Sequence, residues 1–250
     1  MSQYVVILSI GPVQGFIASA RRSRDLWSGS WLLSELAKAC AKSLYDAGAE
    51  LIFPTVQNPK KDLEDDSAFS VGNKIQAVIQ ATDQIEVAEL VNQAKQATHD
   101  RFQREANKSM AELNKLKNIT IREDIWQAQI TDYVEVQAAW AKLSCRDYSD
   151  AVSCASNLLA ARKATRDFNA SAAKSAHDIR FMLPKSSLDG ARETVLPKGF
   201  DRKSTMARKL SLSKGEQLDS AGIIKRLGGK IDQFTPYTRI AAHQWLDDLS

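Results

Sequence analysis

The chain has only three cysteines, Cys40, Cys145 and Cys154, and no C-x-x-C pair. That excludes a disulfide framework, and each cysteine reads as a small buried apolar residue or a free thiol rather than a metal ligand. Histidine is equally scarce, with three in 250 residues. No apolar run approaches the roughly 18 residues needed to cross a bilayer, and the N-terminus lacks the basic flank and apolar core of a secretory signal. The expectation is a soluble, cytoplasmic protein with no membrane partner.

What is present suits a globular chain: 44% of residues are hydrophobic, enough to bury the core of one large domain or two small ones. The formal charge of +4 is unevenly divided, since residues 1–140 carry 15 Lys+Arg against 18 Asp+Glu while residues 141–250 carry 19 against 12. Within the basic part, Lys198 to Lys214 holds six basic side chains and only Asp201 against them. Such a stretch is either a solvated basic loop or a surface facing nucleic acid or an acidic subunit, because phosphate attraction needs only clustered Lys and Arg. Lys198, Arg202, Lys203, Arg208 and Lys209 are its candidate RNA- or partner-binding residues.

Tyr4 to Ile10 is an apolar, β-branched run that ends at Gly11, and Pro12 suits the first position of a helix. Val13 to Asp46 is helical in pattern, with a break expected near Ser23 to Ser30. Leu51 to Pro54 reads as a short strand, 57–68 as an acidic loop, and Ile75 to Ala81 as an alternating, half-buried strand. A long helix follows over Ile85 to Lys115 with Val87, Leu90, Val91, Ala94, Ala97 and Phe102 on one face. A further helix or partner-facing segment over 121–129 precedes a fourth strand at Tyr133 to Trp140. The order β-α-β-β-α-β is that of the ferredoxin-like fold, shared by polymerase palms and nucleotide cyclases. Beyond 147 the pattern is helical at Ala151 to Phe168 and Asp219 to Leu227, and irregular over Pro184 to Phe200. The expected class is α+β, with a ferredoxin-like domain over 1–143 followed by a mainly helical domain over 144–250.

Ser9-Ile10-Gly11-Pro12-Val13-Gln14-Gly15-Phe16-Ile17 and the stretch from Ala20 to Ser34, which includes Arg24-Asp25-Leu26-Trp27-Ser28-Gly29-Ser30, resemble the first palm-like domain of the large subunit of type III CRISPR effector complexes, particularly the Cmr kind. The resemblance implies an RNA-guided antiviral effector whose partners are the other effector subunits, crRNA and target RNA. It also implies that this segment scaffolds the complex and forms one wall of an ATP site for cyclic oligoadenylate synthesis, completed by a second palm absent from this chain. On that wall Ser28, Gly29 and Ser30 would contact ribose, base or phosphate, with the Gly11 turn and its helix N-terminus as a weaker anion site. The bland alternative is that Gly29 permits helix packing while Trp27 and Trp31 are core. Asn73 caps a turn or touches ligand, and Arg21, Arg22 and Arg24 are expected at the surface.

Several parts of the family's machinery are missing. No Gly-Gly-Asp-Asp turn occurs, so the chain carries no catalytic residue and would not itself hold the divalent metal, Mg or Mn. His99-Asp100 and His177-Asp178 lack the further ligands of a metal-dependent HD nuclease. Where the family carries a zinc knuckle, Lys185 to Glu193 and Gly215 to Arg226 keep the framing residues without the thiols, so no zinc is expected and Ser186, Asp189 and Asp219 are candidates for a hydrogen-bonded replacement. Tyr237 to Ala241 resembles the segment before the second palm, so the chain reads as the N-terminal part of a larger subunit. The alternative function is a purely structural subunit with a degenerate nucleotide site.

Overall fold

The computed structural model describes residues 1–143, 147–165 and 184–229. Cys145, His177, Asp178, His243, Asp247, Asp248 and the 237–241 segment lie outside the described residues. The elements are β1 (Ser2–Gly11), α1 (Gln14–Ala18), α2 (Ser23–Asp46), β2 (Glu50–Phe53), α3 (Pro59–Asp62), β3 (Lys74–Ala81), α4 (Gln84–Asn114), α5 (Glu123–Asp132), β4 (Glu135–Leu143), α6 (Tyr148–Ala164), α7 (Thr205–Lys209) and α8 (Ser220–Leu227).

These residues fall into two compact units. One gathers Met1–Val13, Leu33–Arg104 and, among the described residues, 131–143 and 147–165; the other gathers Gln14–Leu32, Glu105–Ile130 and 184–229. A cut at 143 reproduces neither, because residues 14–32 and 105–130 group with the C-terminal part while α6 groups with the sheet. Three of the borders fall inside α2, α4 and α5, where helical periodicity continues and sequence punctuation has nothing to mark.

In the first unit the four strands run in the order β2-β3-β1-β4, every neighbouring pair antiparallel, as the ferredoxin-like order requires. Central β1 buries seven consecutive residues, Tyr4 to Ile10. A strand with one wet face would alternate, so an unbroken buried run means that both faces of the sheet are covered. On one face Tyr4, Val6 and Leu8 lie opposite Ile79, Ala77 and Ile75. The crossover helices α2 and α4 supply the buried stripes Leu36, Ala37, Cys40, Leu44 and Val87, Val91, Ala94. On the other face Val5, Ile7, Val78 and Ala139 pack against Ala151, Ala155 and Leu159 of α6. That packing is why α6, which the sequence placed after a domain boundary, belongs with the sheet.

Local corrections have local causes. The helix break lies at Ser19 to Arg22 and not at 23–30: the Ser19 hydroxyl donates to the Gly15 carbonyl, and the Ala20 amide donates to Ala18 O at 2.7 Å, ending α1 in a tight turn. Pro12 precedes α1 instead of opening it. The 57–68 loop contains α3, whose N-cap Asn58 accepts from Lys61 N at 3.3 Å.

The same loop is tied down by buried charge. Arg101 pairs with Glu35 at 2.9 Å and Asp66 at 3.1 Å, while Lys38 pairs with Glu35 and donates to Ser67 O at 3.1 Å and Ser67 Oγ at 3.0 Å. The side chains of Arg101, Glu35 and Lys38 are each at most 1% exposed. Nearby Cys40 is buried, and burial pushes its thiol up to about 12 against the opposing hydrogen bond with Thr98. It is an inert core thiol, whereas Cys154 is exposed.

Candidate functional site

The α6-facing stripe of β1 reads Val5, Ile7, Ser9, Gly11, and it changes from apolar to polar as α6 reaches its last turn. Strand register sets Gln137 opposite Ser9 and Glu135 opposite Gly11, so these residues share one face of the sheet. The last turn of α6 carries Arg162 and Lys163, and Lys163 Nζ donates to Ser9 Oγ at 2.7 Å. Immediately before β3, the Asn73 carbonyl closes the sheet end by accepting from Ile10 N at 2.9 Å, with the Asn73 side-chain amide 3.5 Å from Ile10 O. Ser9, Gly11, Asn73, Glu135, Gln137 and Lys163 line a cleft of about 200 Å³ together with Ile10, Pro12 and Val13. Its chemistry is one ammonium, two carboxamides, a hydroxyl and one carboxylate. Among the described residues no group of three or more His, Cys, Asp or Glu is placed to hold a metal ion.

Gly11 lines this cleft, but α1 spans only five residues and gives the turn a negligible helix dipole. Sequence reasoning singled out Gly11 and Asn73 and missed Ser9, Glu135, Gln137 and Lys163. The available signal was Ser9 itself, a polar residue on an otherwise apolar stripe.

Ser28, Gly29 and Ser30 lie in the second unit. Ser28 and Gly29 are buried and Ser30 is exposed. A Cβ at Gly29 would stand 3.3 Å from Lys225 Cδ and 3.7 Å from Phe16 O, and one at Gly228 would stand 3.5 Å from Ser28 Oγ. The small residues let α2 approach α8 closely, while Trp27 and Trp31 stack at 6.4 Å between centroids. Two consecutive cations of α8 hold both sides of the 19–22 break. Lys225 Nζ donates to Phe16 O at 2.7 Å and to Ser19 O, and lies 4.8 Å from the Phe16 ring centroid. Arg226 pairs with Glu216 at 2.6 Å and reaches Asp25 at 3.5 Å. Gly29→Val is therefore expected to cost about 1–3 kcal/mol through overpacking, read as a lower urea midpoint. Gly29→Ala, which needs the Lys225 stem to shift by tenths of an ångström, should stay within about 1 kcal/mol because alanine favours the helix.

The two knuckle elements come together without the side chains expected to join them. Ser186 Oγ accepts from Leu188 N at 3.3 Å, Asp189 from Ala191 N at 2.9 Å and Asp219 from Gly222 N at 2.7 Å, each within its own turn. The cross-links are Ser187 N to Gln217 O at 2.8 Å, Gln217 N to Ser187 Oγ at 2.9 Å and Thr194 Oγ1 to Leu218 O at 3.0 Å. Burial carries the Asp219 carboxyl up to about 6, with nearby Asp189 adding to the rise and the Gly222 amide opposing it. On α4, Asp100 accepts from Gln96 at 2.8 Å, and burial lowers the His99 ring below its usual value.

The basic stretch is anchored. Met206, Ala207 and Leu210 are buried, and Ser204 caps α7 by accepting from Ala207 N at 3.1 Å. Lys198, Lys203, Arg208 and Lys209 are exposed. Arg202 donates to Glu216 O and lies over the Phe200 ring, Arg208 donates to Lys203 O at 3.1 Å, and Lys209 stands 3.8 Å from Glu112. Arg22 donates to Ser211 O, and Thr205 Oγ1 donates to Lys117 O at 3.4 Å, so two cations distant in sequence join this surface.

Residues 5–115 match the family described as CRISPR-associated protein Cmr2, N-terminal. Two solved structures share the fold. The Type III-B Cmr-beta complex bound to cognate target RNA contains a chain matched with a TM-score of 0.58 and 14% identity, over 90% of this chain and 32% of that one. The apo state of Type III-B Cmr-beta gives 0.60 and 12%, over 90% and 31%. The chain thus spans about a third of the length of the chains it resembles. No curated protein matches at a comparable level.

Proposed function

We propose, from the match of residues 5–115 to the Cmr2 N-terminal family, that this chain is the N-terminal segment of the large subunit of an RNA-guided type III CRISPR antiviral effector complex. There it scaffolds the assembly and forms one wall of an ATP site. The observation that carries this reading is the polar cleft at the C-terminal end of β1 in a ferredoxin-like sheet. A palm with one carboxylate in that cleft binds a nucleotide without activating it. Two metal ions held by a second palm would activate the attacking hydroxyl and stabilise the leaving pyrophosphate. Of the family-motif residues, Gly11 and exposed Ser30 are open to ligand, while Ser28 and Gly29 set the path of α2.

The burial of Ser28 and Gly29 favours a second reading, a structural subunit with a degenerate nucleotide site. The two readings part on one experiment. The reading frame beyond codon 250 should encode a Gly-Gly-Asp-Asp turn, and the assembled complex should convert ATP to cyclic oligoadenylate when target RNA binds. RNA binding without product supports the structural subunit.

Other effector subunits, crRNA and target RNA are the partners proposed for the basic surface. Reversing the charge of Lys198, Lys203, Arg208 and Lys209 together is expected to raise the apparent Kd for RNA at least tenfold. The log–log salt dependence should become shallower by about 0.7 for every single-strand phosphate that the variant leaves unneutralised. Binding unchanged at low salt would remove RNA from this surface. Arg202 is left out of the variant because its bond to Glu216 and its place over Phe200 make it part of the fold.

A further inference from the structure

We infer that the groove between α2 and α4 docks a basic helix of a neighbouring protein subunit, one whose cations stand about three turns apart. The source of that helix rests on the assembly reading above. The surface and its chemistry go beyond it and use none of the residues proposed for RNA.

Shape comes first. The groove has a volume of about 620 Å³, and none of its lining residues belongs to the stripes that α2 and α4 turn to the sheet. Its walls are rows with helical spacing: Ala39, Ser43 and Ala47 along α2, and Gln93, Ala97 and Asp100 along α4. Strands β1 and β3 are antiparallel, so the helices that follow them are antiparallel too, and the pair of Glu35 with Arg101 sets their register. Ala39 therefore lies across from Ala97 and Ser43 from Gln93, which leaves a floor of small side chains that a third helix can approach closely.

Charge then selects the occupant. Four carboxylates, Asp46, Glu64, Asp65 and Asp100, line the groove against two cations, Lys42 and Arg104. Both cations are engaged, Lys42 at 3.2 Å from Asp46 and Arg104 at 3.1 Å from Asp65. Asp100 takes a neutral partner, Gln96, at 2.8 Å, and Glu64 is exposed. At the other end the last turn of α2 carries Asp46 and no basic residue, which puts a carboxylate at the negative pole of a 24-residue helix. Lys42 offsets it weakly, because the pair is 43% and 56% exposed.

The surplus of negative charge repels phosphate and keeps RNA out of this groove. Among the described residues no three acidic side chains are placed to hold a metal ion. With the register above, Asp46 and Asp100 stand about ten residues, or roughly 15 Å, apart along the helix axis. A helix with Lys or Arg at that separation and small residues between them matches the volume, the row spacing and the charge.

The experiment puts the photocrosslinker benzoylphenylalanine in place of Gln93, on the exposed rim, in the assembled effector complex, and identifies the linked peptide by mass spectrometry. The expected product joins position 93 to a helical segment of another subunit that carries two cations about ten residues apart. In the same complex, Glu64→Lys with Asp100→Lys should raise the apparent Kd for that subunit at least tenfold at low salt, and the difference should shrink as salt is added. Reversing the facing cation on the partner should restore most of the affinity. Where the double reversal lowers the urea midpoint, Glu64→Gln with Asp100→Asn replaces it, with at least a threefold loss expected. A crosslink to RNA, to an acidic or non-helical segment or to a second copy of this chain overturns the proposal. So does the absence of any crosslink, or a partner affinity that both pairs of substitutions leave unchanged. The assembly reading survives each of these outcomes, and if no complex forms around the parent chain both readings fall.

Discussion

Arg101→Met is expected to lower the unfolding free energy by about 3–5 kcal/mol, the usual cost of removing one partner from a buried ion pair. Glu35, 1% exposed, would be deprived of the guanidinium at 2.9 Å and keep Lys38 and the Asp66 amide. Asp66, held at a positive φ of 63°, would be deprived of the guanidinium that anchors its turn. Urea denaturation should show a lower midpoint with an unchanged slope. Adding Glu35→Gln to Arg101→Met should deepen the deficit, because buried Lys38 then loses the carboxylate that compensates its charge and keeps only the Ser67 oxygens. Arg104→Met is the control: its pair with Asp65 is about half exposed on both sides, and its removal should cost less than about 1 kcal/mol.

Asp219→Asn should stabilise the second unit at neutral pH. The carboxyl titrates near 6 in the folded chain against an ordinary value of 3.8. Between those two values the folded state holds a proton that the unfolded state has released. Folding stability therefore falls as pH rises through this window, and the whole penalty is present above pH 6. A rise of about two units corresponds to about 3 kcal/mol. Asparagine carries no such penalty, and its carboxamide oxygen can still accept from Gly222 N as the N-cap of α8. The stability difference between variant and parent should be near zero at pH 4 and grow to about 3 kcal/mol by pH 7. A difference that stays flat across this range would mean that Asp189, Lys225 and Arg192, the charges that act on Asp219, already balance its burial.

The strands and long helices were legible because their signals are local. Tyr4 to Ile10 announces a buried strand by composition alone, and Ile75 to Ala81 carries the alternation of a strand. The division into units was not legible, because it depends on which helix segments share a core. Charge was also misleading. Arg101, Lys38, Lys225 and Arg226 look like solvent-facing residues in a sequence, yet all four are buried, since each finds a counter-charge or carbonyl partner from a segment far along the chain. At the cleft, Gly11 and Asn73 stood out as turn residues. Glu135, Gln137 and Lys163 became site residues only when β4 paired with β1 and α6 folded over both.

The unbroken burial of β1 also sets a problem of timing. Tyr4 to Ile10 leave the ribosome well ahead of their two strand partners, which lie at 74–81 and 135–143. At about 5–20 residues per second, this seven-residue apolar run waits on the order of ten seconds before its last neighbour emerges. A free, uncharged β-forming segment is a template for association between nascent chains. No charged residue follows it before Arg21, so the emerging chain sets no close gatekeeper behind this strand. Yield should accordingly depend on chaperone supply during synthesis more than on the stability of the finished fold.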